Sequence, residues 1–233
     1  GRTLSRAVAA LGADVTVCVA TDLGAEEQGC APGITVRAGR LDAGEMTALL
    51  QGAALCVDAT HPYATEATRN IRAAATAAGV AYHRLLRPAS DLPAGSVVLE
   101  TAAQAAAYLA AKPGNILLAT GAKELPAFAA LDPARLYPRV LPTLAGITAC
   151  EAAGIPHRNI IAMQGPFTLE LNVALLRQFA IAAMVTKDGG AAGGFAEKAE
   201  AAARCGVQLI VLRRPEEQGE NAETILQRCR ELL

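Results

Sequence analysis

Short apolar runs, each followed by a polar or glycine-bearing turn and then an amphipathic stretch, recur along this chain. The runs predict strands at 15–20, 34–37, 53–58, 80–86, 96–99, 115–119, 136–140, 159–163, 181–186 and 207–212. Between them the spacing predicts helices at 2–11, 43–50, 63–78, 101–111, 124–130, 143–153, 168–178, 195–205 and 221–232. Alternation on this scale predicts an α/β fold, with parallel sheets flanked by helices. That many strands exceed one sheet of ordinary size, so two Rossmann-like halves are expected, with an active-site cleft between them. The proline-rich stretch "RPASDLPAGS", residues 87–96, marks the boundary and gives an N-terminal domain at 1–90 and a C-terminal one at 91–233. The chain opens on a helix closed by Gly12 and not on a strand, so the first strand of its α/β unit is expected to be missing.

Composition narrows the classes. The chain has 233 residues, 52% of them hydrophobic, enough for a large core. Twenty-one Lys and Arg against 22 Asp and Glu give a formal charge of -1, which draws the protein neither to nucleic acid nor to an anionic membrane. An acidic ligand must therefore be met by a local basic patch. No apolar run is long enough to span a bilayer and nothing reads as a signal peptide, so a cytoplasmic location is expected. The six cysteines, Cys18, Cys30, Cys56, Cys150, Cys205 and Cys229, form no C-x-x-C pair and read as reduced core thiols; no metal site is expected.

The turns carry the candidate chemistry. "CVDATHPYA" runs from a strand end at Asp58 through Thr60, His61 and Tyr63 into a helix whose buried stripe is Ala64, Ala67, Ile71, Ala74 and Ala78, with Pro62 in its first turn. Its plain reading is a helix cap from Thr60 or His61. Three more turns follow strands in the same way: "TGAKEL" from Thr120, "QGPFTLELN" from Gln164 and "TKDGGAAGGFAEK" from Thr186. Each has an ordinary reading: turn glycines at Gly121 and Gly165, a cap at Thr168, a solvated charge at Lys198. Together they place polar residues at the carboxyl ends of parallel strands, where open α/β sheets bind ligands.

"VDATHPYA", "LLATGAKEL", "YPRVLP", "IIAMQGPFTLELN" and "VTKDGGAAGG" with the following Glu197 and Lys198, then "IVLRRP", stand in an order and spacing that resemble the precorrin-6A reductase and cobalt-precorrin-6A reductase family of cobalamin biosynthesis. The resemblance covers nearly the whole chain. It implies an oxidoreductase that reduces one double bond of an anionic tetrapyrrole by hydride transfer from a nicotinamide cofactor. The family opens with a strand and a Gly-Gly-Thr-x-Glu-Gly-Arg turn, of which Gly1 and Arg2 remain here, and Gly189 stands where the family's serine is expected.

That chemistry needs a nucleotide site, a proton donor and clamps for carboxylates. Arg84, Arg87, Arg139 and Lys198, with Gln164, Gly165 and Phe167, are the substrate-binding candidates. His61 leads the catalytic candidates because its ordinary pKa lies nearest neutrality, followed by Tyr63 and Lys187; His83 and His157 read as structural. Cofactor binding falls to Gly1, Arg2, Thr21, Asp22, Thr60, Gly121 and Lys123. Asp22, at the position that reads the ribose, favours NADH, whereas the aerobic branch of the family uses NADPH; NADPH is the expected cofactor, with NADH possible. The expected oligomeric state is a monomer or weak homodimer. A non-enzymatic nucleotide- or metabolite-sensing module on the same halves is the alternative.

Overall fold

Each apolar run of the sequence folds as a strand, and the strand pairs are parallel throughout. The structure, a computed structural model, describes residues 1–190 and 193–233. Contacts divide it into two compact units: Gly1–Arg87 with Pro215–Leu233 (unit 1), and Pro88–Arg214 (unit 2). The first crossing lies at the start of the proline-rich stretch. The second corrects the expected division, because Pro215–Leu233 belongs to unit 1 and not to a domain running from 91 to 233.

In unit 1, α1 (Arg2–Ala9) precedes β1 (Val15–Val19), α2 (Asp22–Gln28), β2 (Ile34–Ala38), α3 (Ala43–Leu50), β3 (Cys56–Asp58), α4 (Thr65–Ala78) and β4 (Tyr82–Arg84). β1 pairs with β2 and β3 with β4. α2 is not marked by an apolar stripe; Thr21 starts it by accepting the Gly24 N–H at 3.1 Å. α3 opens on a reciprocal cap between Asp42 and Glu45, each bonding the other's backbone N–H at 2.8 Å. α4 buries Ala74 and Ala75 and stops at Gly79, which takes the left-handed conformation.

Unit 2 holds β5 (Val97–Leu99), α5 (Ala102–Ala110), β6 (Asn115–Ala119), a 3-10 helix (Ala122–Phe128), β7 (Leu136–Val140), α6 (Leu144–Ala152), β8 (Ile161–Ala162), α7 (Leu169–Gln178), β9 (Ile181–Lys187), α8 (Phe195–Cys205) and β10 (Gln208–Leu212). Residues expected as a helix at 124–130 wind as 3-10 turns because Pro126 lacks the N–H that an α-helix needs there. The strands form one sheet in the order β5-β10-β9-β6-β7-β8. β6 and β9 carry apolar residues on successive positions, as strands covered on both faces require. Under them Leu117, Leu176, Met184, Phe195, Ala201 and Val211 pack as one core.

The chain then returns to unit 1. Glu220 donates its N–H to the Arg84 carbonyl and accepts the Leu86 N–H, both at 2.8 Å. The last helix, α9 (Ala222–Leu232), lays Ile225 and Cys229 on Leu4, with Val8, Leu55, Val57 and Leu85 around them. The stripe on 221–232 is legible as apolar; the surface it seeks is not. Cys56, Cys150 and Cys229 are core thiols as expected, but Cys18 and Cys30 are exposed, Cys18 because it falls on the outward side of the alternating strand β1.

The return demands a close approach at Gly219. A Cβ there meets the Arg84 carbonyl oxygen and comes within 2.9 Å of Arg84 Cβ and 3.0 Å of its Cγ. Gly219→Ala should therefore cost ~1–3 kcal/mol, the usual cost of overpacking. Urea denaturation checks this, and a cost under ~0.5 kcal/mol would show that the returning segment moves aside freely.

Candidate functional site

The turn after β3 is built around a buried carboxylate. Asp58, 1% exposed, ends β3 directly across the ladder from Arg84, 3% exposed, at the end of β4. Asp58 Oδ1 accepts the Thr60 N–H at 3.0 Å, the Thr60 hydroxyl at 2.7 Å and Arg84 Nη1 at 2.8 Å; Oδ2 accepts the Tyr82 hydroxyl at 2.9 Å. Burial pushes the Asp58 carboxyl up, but the Thr60 donors and the Arg84 charge outweigh it, so it titrates below the usual carboxylate range. The other side of the Arg84 guanidinium holds Glu217 Oε1, at 3.1 Å from Nε and 2.7 Å from Nη2. Arg84 is thus committed to two carboxylates of its own chain. Its expected role as a substrate clamp gives no sign of these two pairs.

This network shapes the turn above it. Thr60 Oγ1 bonds Asp58 and lies 3.2 Å from Thr68 Oγ1, so Thr60 does not cap α4. Neither does His61: α4 starts at Thr65, two residues later than the expected 63, with Ala64 at its N-cap and no side-chain cap. His61 is exposed, its Nδ1 receiving the Tyr63 N–H at a long 3.4 Å, and its ring lies 5.5 Å from the Tyr63 ring. The plain capping reading of this turn therefore fails. Gly1 lies against the same turn, since a Cβ on it would sit 3.5 Å from Ala59 Cβ. Arg2 and Lys123 are exposed, and Arg87 is half-buried. Thr21 spends an acceptor on capping α2, whose first turn Asp22 occupies as an exposed anion.

In unit 2 the sheet supplies a topological switch point. β6 leads to β7 on one side while its neighbour β9 leads to β10 on the other, which opens a crevice at their carboxyl ends. The turns expected to matter sit on that edge. Gly121, at φ 84°, starts the 3-10 helix after β6 in a conformation that favours glycine. Lys187, ending β9, reaches Glu124 of that helix at 2.6 Å. Asp188 follows, its carboxylate bonded to the Ser90 N–H at 3.0 Å, the Ser90 hydroxyl at 2.7 Å and the Gly190 N–H at 2.9 Å. Gly194 then opens α8 with no side-chain cap, leaving first-turn N–H groups to other acceptors. The expected turn 186–194 includes Ala191 and Ala192, which lie outside the described residues.

Arg139 near the end of β7 is 8% exposed; Nη1 donates to Asn172 Oδ1 at 2.8 Å and the guanidinium stacks on the Phe167 ring at 4.2 Å. Asn172 holds the loop in turn, donating Nδ2 to the Thr168 carbonyl at 2.8 Å and the Phe167 carbonyl at 3.3 Å. Gly165 precedes a cis peptide to Pro166, and Gln164 is exposed beside it. Lys198, in the first turns of α8, is 7% exposed. Sequence reasoning missed Asn172, Glu124, Asp188 and Ser90 as supports. All but Ser90 stand inside the quoted motifs, and their polarity at strand and helix ends was the available signal. Among the described residues no group of His, Cys, Asp or Glu could hold a metal ion, and no helix is long and apolar enough to cross a membrane.

Comparison with known proteins shows the family and the fold. The model of the family described as "Precorrin-6x reductase CbiJ/CobK" matches residues 1–230. A cobalt-precorrin-6A reductase of Priestia megaterium is 38% identical over 92% of this chain and 86% of its own length, and one of Salmonella typhimurium (strain LT2) 35% identical over 92% and 83%. A precorrin-6A reductase of Mycobacterium tuberculosis is 33% identical over 68% and 62%. A solved structure named CobK precorrin-6A reductase shares the fold, with a TM-score of 0.77 at 24% identity over 99% of this chain and 92% of that one.

The Asp58–Arg84 pair sets a pH limit. Because the folded carboxyl titrates below its unfolded value of ~4, its contribution is complete above that value and is lost as pH falls through the folded one. Asp58→Asn should cost ~3 kcal/mol at neutral pH, near the low end for a broken buried pair since Glu217 still holds Arg84, and should flatten the acid limb of a urea-stability profile. A variant as stable as the parent at pH ~7, with the same acid limb, refutes this account.

Proposed function

This chain belongs to the precorrin-6x reductase CbiJ/CobK family, and we propose that it reduces one double bond of precorrin-6A or cobalt-precorrin-6A, with NADPH as the hydride donor. The observation that carries the reading is the switch point of unit 2, where a glycine turn, an uncapped helix start and several cations share one sheet edge. Such an edge fits a nicotinamide dinucleotide: Gly121 lets the backbone approach closely, and the start of α8 offers N–H groups to phosphate. When bound, the nicotinamide supplies a hydride to one carbon of the double bond.

The protein supplies the rest. Lys187 is engaged by Glu124, which leaves the exposed Lys123 as the cation of the "TGAKEL" turn available to the extra phosphate of NADPH. This favours NADPH over the NADH reading of Asp22, and weighs against Gly1, Arg2, Thr21 and Thr60 as the main nucleotide contacts. His61 gives the proton to the second carbon. It stands exposed after β3, takes no part in capping α4, and has Tyr63 beside it to fix the ring. Arg87, Gln164, Gly165 and Phe167 contact the substrate, with buried Asn172 and Asp188 holding their segments in place. We place the enzyme in the cytoplasm.

His61→Ala should lower turnover ~10²–10⁴-fold with the melting temperature unchanged. The test follows loss of reduced-nicotinamide absorbance on mixing with precorrin-6A or its cobalt form. Normal turnover in the variant removes His61 as the acid, and no cofactor oxidation by the parent removes the reductase reading in favour of a sensing module. Lys123→Ala should raise the NADPH KM roughly tenfold and leave that for NADH unchanged. Equal effects on both would place the extra phosphate elsewhere.

A further inference from the structure

The returning segment of unit 1 reaches the turn that carries His61 through one side chain. Glu217 stands 133 residues beyond Arg84 in the chain, yet its Oε1 accepts Arg84 Nε at 3.1 Å and Nη2 at 2.7 Å. Two donors of a planar guanidinium meeting one oxygen fix the plane of the group as well as its place. Little water reaches the pair, since the Arg84 side chain is 2% exposed and that of Glu217 12%.

That plane decides where the remaining nitrogen points. Nη1 donates to the Asp58 carboxylate at 2.8 Å, to the Thr60 hydroxyl at 3.0 Å and to the Asp58 carbonyl at 3.2 Å. Asp58 Oδ1 accepts the Thr60 N–H in turn, and His61 is the next residue. The Tyr82 hydroxyl holds only the other oxygen, Oδ2. On the far side of the turn α4 begins at Thr65 with no side-chain cap, so the near side is set by Asp58 and Thr60.

Neutralising Arg84 does not call for Glu217, because Asp58 already supplies one negative charge at 2.8 Å. A second carboxylate leaves one negative charge in excess among the three groups and adds its own desolvation cost. What it contributes beyond charge is direction.

We propose that Glu217 is a positioning residue for the His61 turn: it orients the Arg84 guanidinium, which sets Asp58 and Thr60 and, with them, the point from which His61 gives its proton. The proton transfer rests on the reductase reading; the positioning of the turn does not.

Two conservative variants of the full chain separate direction from charge. Glu217→Asp keeps the charge and draws the oxygen back by one methylene, whereas Glu217→Gln keeps the reach and an acceptor oxygen without the charge. Hydrogen exchange of the Thr60 amide, followed by NMR, should quicken roughly tenfold in Glu217→Asp and by less than about twofold in Glu217→Gln. Exchange that quickens in Glu217→Gln alone, or in neither, overturns the positioning whatever the reaction.

Turnover of precorrin-6A or its cobalt form with NADPH should fall roughly tenfold in Glu217→Asp, with the NADPH KM unchanged, and recover in Glu217→Gln. On a His61→Ala background Glu217→Asp should lower turnover no further, because the group it positions is gone. An equal loss on both backgrounds, or no loss on either, refutes action through His61. Normal turnover in His61→Ala alone removes His61 as the acid, and the Thr60 exchange then decides the positioning by itself.

Discussion

Parallel pairing is the constraint on which the rest depends. A parallel strand cannot turn directly into its neighbour; the chain must cross over the sheet, and in unit 2 it does so mostly through helices. Every strand then ends on the same edge, and every following turn begins there. Thr120, Arg139, Gln164 and Lys187 are far apart in sequence but are delivered to one side by that rule alone. The reversal between β6 and β9 opens space at that edge.

Charge is handled in two opposite ways. In unit 1 the Arg84 guanidinium lies between Asp58 and Glu217, so a cation is neutralised inside the fold and locks β3, β4 and the returning chain together. In unit 2 Arg139 is held by an amide and a ring, interactions that orient it without cancelling its charge. The first arrangement favours rigidity. The second leaves the field of the cation in place.

The strands were legible because a short apolar run bounded by turn residues, and alternating with helical stretches, folds in few ways but as a covered strand. α2 was not, since "DLGAEEQ" shows no apolar stripe and its start rests on the Thr21 cap. The motif "DATHP" was legible as a strand-end turn, but the pairing of its Asp58 with Arg84 of β4 was not: Arg84 looked like a clamp because a sequence shows a cation without showing the two carboxylates beside it. Glu217 is distant in sequence, and its approach depends on the chain crossing back. The supports Asn172 and Asp188 were hidden for a similar reason, since an amide or carboxylate that orders a loop has the same letter as one that faces solvent.

The route of the backbone through the two units also has a consequence for biosynthesis. Unit 2 is one continuous stretch, Pro88–Arg214, and can close its sheet as soon as β10 has left the ribosome. Unit 1 is emitted first yet finishes last, because Leu4 has no Ile225 or Cys229 to pack against, and Arg84 no Glu217, until the final segment emerges. During translation the first-made strands therefore wait with an open apolar face while later-made ones fold. A ribosome stalled before α9 would hold a finished sheet joined to strands whose apolar face is still uncovered.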